Sequence, residues 1–155
     1  MTVVHERPAT NARTLLSAEL WDSLVEDVRR KHPEMSESLA DRGVGQMVGF
    51  LVASTRTHLP LSPSKLVDDF WHAFILRTQP YAEFCEHVAG RFIHHNPELT
   101  SRIGQGSSEI QLRQTLEAIT AAGFAVDPEL WPVAAKCTQC HAGCSNSPNS
   151  GSGKK

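Results

Sequence analysis

Asp68 and His72 stand four residues apart in Leu66-Val-Asp-Asp-Phe-Trp-His-Ala-Phe-Ile-Leu76, a stretch whose apolar residues recur at helical spacing. A helix puts residues i and i+4 side by side on one face. A carboxylate and an imidazole placed one turn apart either share a metal ion or form a hydrogen bond that orients the imidazole. Cys85 and His95 follow in the same part of the chain. Carboxylate, imidazole and thiolate together suit zinc, and imidazole with carboxylate also suits iron, manganese or nickel. The candidate metal site is therefore Asp68, His72 and His95, with Cys85 as a fourth member. A divalent transition metal is the expected cofactor, zinc first and iron second. His94 is the weaker candidate of the adjacent histidine pair, because neighbours in extended backbone face opposite ways.

The same residue types support two other readings. In one, Asp68 and His72 are structural partners beside Trp71, and Cys85 is a small core hydrophobe. In the other, Cys85 is a nucleophile, His72 or His95 its base and Asp68 the orienting group, as in thiol hydrolases or transferases. A cysteine in the apolar line of a helix is shielded from the cations that activate a thiolate, which weakens that alternative.

A second set of thiols lies near the C-terminus in Cys137-Thr-Gln-Cys140-His-Ala-Gly-Cys144. Cys-x-x-Cys-His is the attachment pattern of c-type haem. That chemistry follows export, and the N-terminus has no apolar segment of signal-peptide type. A thiolate site for zinc or copper(I) at Cys137, Cys140 and Cys144 is the better expectation.

Positioning the central residues requires a helix from about Pro63, with Ser62 as its cap and Leu66, Val67, Phe70, Trp71, Phe74 and Ile75 as its apolar stripe. A second helix after Pro80 carries Tyr81, Phe84, Cys85 and Val88 on one line and stops at Gly90. Arg91 to Pro97 is then an extended return that could carry a histidine back to His72. Upstream, Ser17 caps a helix with Leu20, Trp21, Leu24, Val25 and Val28 inward, closed by Lys31-His32-Pro33. From Pro33 to His58 the helical pattern is interrupted by Gly43, Gly45 and Gly49. Each glycine costs a helix roughly 1 kcal/mol against alanine, so a break near Gly43 is the favoured reading and close approach of another helix the alternative. Residues 98 to 106 read as a loop. Ser107 or Ser108 caps a further helix, with Ile110, Leu112, Leu116 and Ile119 inward and Gly123 as its stop. Asp127 to Trp131 is a last turn that docks Trp131.

The residues Pro63, Ser64, Val67, Asp68, Trp71 and His72, then Thr78, Tyr81, Phe84 and Cys85, then Gly90, Phe92, Ile93, His95 and Pro97 form a pattern that resembles the glycine-rich domain-containing protein-like family, named in plants and found as short bacterial proteins. The resemblance covers roughly Val44 to Pro97. It implies a mostly helical fold and also points to His95. Phe74 stands where plant members often carry a further histidine.

The fold class expected is all-α, a single compact bundle of about five helices with a flexible C-terminal tail. The divisions are a loose arm over 1–13, a helical domain over 14–132 and a Cys-, Ser- and Gly-rich tail over 133–155, too poor in aliphatics to order itself. At a net charge of −2, the chain has no electrostatic support for nucleic-acid binding. The Arg29-Arg30-Lys31 run reads as cations at a helix C-terminus. No stretch approaches membrane-spanning length, so a cytoplasmic protein is expected, with its four cysteines mostly reduced. The non-enzymatic alternative is an interaction module, or a carrier whose tail binds metal, meets a protein or peptide partner, or is modified.

Overall fold

The computed structural model describes residues 10–96 and 109–132. Within them the chain is all-α: a single bundle of five helices, α1 (Ala18–Lys31), α2 (Glu37–Ser54), α3 (Lys65–Leu76), α4 (Thr78–Ala89) and α5 (Glu109–Ala121), with no strand among the described residues. Residues 1–9 of the expected arm, the expected loop over 98–106, the caps at Ser107 or Ser108 and the tail over 133–155 lie outside the described residues, whereas residues 10–13 are docked on the bundle.

α2 is the centre of the bundle. It packs against α1, α3 and α5, and its buried residues, from Ala40 through Val44, Val48 and Leu51 to Ala53, face nearly every direction. It also runs unbroken through Gly43, Gly45 and Gly49, which corrects the expected break near Gly43. The cause is tertiary: a Cβ at Gly43 would stand 2.1 Å from Phe70 Cζ, so the missing side chain is the space α3 occupies.

α1 begins at Ser17, whose Oγ accepts the Leu20 amide at 3.1 Å, and buries Trp21, Leu24, Val25 and Val28. The start of α3 differs from expectation. Its cap is Ser64, not Ser62. Ser64 Oγ accepts the Val67 amide at 3.0 Å and donates to the Leu130 carbonyl at 2.6 Å. The Ser62 amide instead donates to Thr115 Oγ1 on α5 at 2.9 Å. One buried hydroxyl thus fixes the first turn of α3 and docks the C-terminal segment.

Only Arg77 separates α3 from α4, and its guanidinium reaches back to Asp27 on α1 at 2.9 Å. Pro80 lies in the first turn of α4, where amides have no intrahelical partner to lose. Gly90 ends α4 with φ of 66°, the left-handed conformation that favours glycine. On α5, Leu112, Thr115 and Ile119 are buried, whereas Ile110, expected inward, is 69% exposed. The 3-10 turn Pro128–Leu130 follows, and Trp131 is fully buried with its indole N–H on Gln46 Oε1 at 2.9 Å. At the other end, the 3-10 turn Ala12–Thr14 lies on α2, and the Thr10 amide donates to the Gly123 carbonyl at 2.8 Å. No helix among the described residues is long and apolar enough to cross a membrane.

Candidate metal centre

The helical spacing of α3 puts Val67, Phe70, Trp71 and Phe74 in the core and leaves Asp68 and His72 at the edge of that stripe. His72 Nε2 lies 3.3 Å from Asp68 Oδ2. The backbone after Gly90 has no regular structure, but it is pinned at Ile93, whose side chain is buried and whose carbonyl accepts the Tyr81 hydroxyl at 2.5 Å. Two residues on, His95 turns back onto α3. Its Nε2 is 2.7 Å from Asp68 Oδ1 and 3.0 Å from His72 Nε2. His94 is exposed, its ring beside Phe92.

Three donor-bearing side chains therefore converge, with candidate ligand atoms all within 4.8 Å of one another. An imidazole nitrogen offers either a proton or a lone pair. His95 Nε2 can then serve one of its two close neighbours fully and not both, whichever tautomer it takes. Exposure grades across the group: the side chains of His95, Asp68 and His72 are 16%, 28% and 45% exposed. The cluster has a seated side against the bundle and an open side toward solvent.

The seat is aromatic. The His95 ring lies against Trp71 at a centroid distance of 4.3 Å and against His72 at 4.7 Å. Trp71 in turn donates its indole N–H to the Tyr81 hydroxyl at 3.0 Å. Burial pushes the Tyr81 hydroxyl well above its ordinary value, and the Trp71 hydrogen bond only partly opposes this. Trp71 and Tyr81 read in the sequence as core anchors, and their support of His95 was not foreseen. The signal available was that a buried tyrosine hydroxyl needs a partner, and the return segment was the nearest source of free carbonyls.

Cys85 is not brought into the cluster. It is fully buried on α4, where it neighbours the Tyr81 hydroxyl. In this position it packs as a core residue and has no open path to a substrate. Cys137, Cys140 and Cys144 lie outside the described residues. His32, expected only to close α1, caps its C-terminus and bonds Asp69 of α3 through Nε2 at 2.8 Å, which ties the end of α1 to α3. A groove of about 400 Å³ lies between the start of α1 and α4, with Leu16, Leu20, Pro80 and Phe84 among its walls. None of Asp68, His72 or His95 lines it.

No curated protein and no solved structure gives a match to the chain. A family model does match, over residues 10–122, and it is described as UCP032817-like. This overturns the resemblance to the glycine-rich domain-containing protein-like family, which the match does not indicate. The residues that carried that resemblance are largely structural: Ser64 caps α3, Gly90 ends α4, and Trp71, Tyr81, Phe84 and Cys85 are buried. The matching model spans α1 to α5, and the chain belongs to the UCP032817-like family.

Proposed function

We propose that the chain binds one divalent transition-metal ion through Asp68, His72 and His95, zinc first and iron second, with a coordination position left open toward solvent. The observation that carries this reading is the convergence of one ligand atom from each side chain to within 4.8 Å of the others. His95 Nε2 is 2.7 Å from Asp68 Oδ1 and 3.0 Å from His72 Nε2, and His72 Nε2 is 3.3 Å from the other carboxylate oxygen, Oδ2. Donors about 2.1 Å from a zinc ion stand about 3.4 Å apart in a tetrahedron and about 3 Å apart on an octahedral face, so modest side-chain adjustment would admit an ion. A cation would also accept a lone pair from each atom and remove the conflict at His95 Nε2. Two imidazoles and a carboxylate are the ligand set of hydrolytic zinc and of non-haem iron sites, where an open position activates water or a small ligand.

A second reading is an interaction module in which the ion, if bound, only fastens the fold. It is favoured by the position of the α1–α4 groove, which none of the three residues lines. Metal content by elemental mass spectrometry of the full chain, of His72→Ala/His95→Ala and of a chain ending at Pro132 tests the proposal. Metal retained without the tail and lost in the double variant supports it, and the element found separates hydrolytic from redox chemistry. Metal that leaves with the tail moves the site to Cys137, Cys140 and Cys144. A full chain without metal, purified free of chelators and not loaded by added zinc or iron, defeats the reading.

A further inference from the structure

His95 is the one member of the cluster that no helix holds. Asp68 and His72 have their spacing fixed by the backbone of α3, so the geometry of the site depends on what holds residues 93 to 95. Beside the buried Ile93 side chain and the His95–Asp68 contact, two contacts do so through one side chain. The Tyr81 hydroxyl donates to the Ile93 carbonyl at 2.5 Å, which fixes the backbone two residues before His95. The same oxygen accepts the Trp71 indole N–H at 3.0 Å, which orients the ring that His95 lies against. Phe74 and Phe92 stand edge-on to the Tyr81 ring at centroid distances of 5.0 and 5.2 Å and confine it.

We infer that Tyr81 is a positioning residue of the metal site, acting on His95 through the Ile93 carbonyl and the Trp71 indole; this rests on the metal reading above. Tyr81 touches none of the three ligand atoms. Its hydroxyl orients a ligand from behind, as the hydrogen-bond partners of metal-bound imidazoles do elsewhere.

The test is cobalt(II) titration of the full-length wild type and of Tyr81→Phe, following both affinity and the ligand-field absorption band. Tyr81→Phe should bind about tenfold more weakly, at the lower end of the usual loss for such partners, and its cobalt band should move, because His95 is released from its orientation. Because the chain contains a single tyrosine, fluorotyrosine labelling places a fluorine probe at Tyr81 alone in the otherwise native protein. Zinc should move that resonance in the wild type and leave it unmoved in His95→Ala. A variant that melts at lower temperature but keeps wild-type cobalt affinity and spectrum overturns the inference and leaves the metal reading standing. So does a fluorine resonance that stays fixed while zinc is bound. A wild type that takes up neither cobalt nor zinc overturns both.

Discussion

Phe70 fills the space that a side chain at Gly43 would need, its Cζ only 2.1 Å from the position of a Cβ there. The contact seats α3 against α2 two residues from both Asp68 and His72. Gly43→Ala is expected to lower stability by about 3 kcal/mol, the upper part of the range for overpacking. Gly45 is a built-in control, since its nearest side-chain atom, in Trp21, would be 3.6 Å from a Cβ, an ordinary contact. Gly45→Ala should therefore gain about 0.5–1 kcal/mol from helix propensity. Urea midpoints at unchanged slope would measure both.

Ser64 and Ser17 are both helix caps, but only Ser64 is buried and bonded to a distant carbonyl. Ser17→Ala should cost about 1 kcal/mol, an exposed cap lost. Ser64→Ala should cost about 2–3 kcal/mol, because the Leu130 carbonyl loses its partner in the interior as well. Equal losses in chemical denaturation would contradict the double role.

Zinc should stabilise the folded chain by mass action, about 2.7 kcal/mol at a free concentration one hundred times the dissociation constant. His95→Ala and Asp68→Ala should show no such gain at the same concentration. Calorimetric melting with and without zinc checks this, and excess chelator should return the wild type to its metal-free midpoint.

The Tyr81 hydroxyl is raised above its ordinary value of 10.0 by burial. Below that pH folded and unfolded chains both keep the proton, and the group makes no difference. Above it the unfolded chain releases its proton first, so stability should fall by up to about 1.4 kcal/mol per pH unit. Tyr81→Phe should lack this component. Urea midpoints at about pH 9 and about pH 11, read as the difference between the two proteins, would reveal it.

The parts of the fold that obey local rules were legible. Ser17 and the Trp21, Leu24, Val25 and Val28 stripe specify α1 without reference to anything else. The proximity of Asp68 and His72 follows from helix geometry alone. What escaped the sequence was set by distant partners. The glycines of α2 argued locally for a break, and only Phe70 explains why Gly43 belongs inside a helix. Either serine flanking Pro63 could cap α3, and a carbonyl 66 residues away decides for Ser64. The Tyr81 hydroxyl called for a partner, but spacing alone does not choose the Ile93 carbonyl, which sets where His95 lands.

The two imidazoles of the cluster are 23 positions apart in the chain, and the whole of α4 lies between them. An ion gripped by both would close a covalent-like ring around that helix, a reversible staple in a protein whose described cysteine is unpaired. Ring closure of this size removes freedom from the unfolded chain, worth about 3 kcal/mol in the entropic account of disulfides. Acid or a chelator would open the ring. α4 would then be the part of the bundle whose local opening answers to metal supply, while α1, α2 and α5, outside the ring, would keep their protection from hydrogen exchange.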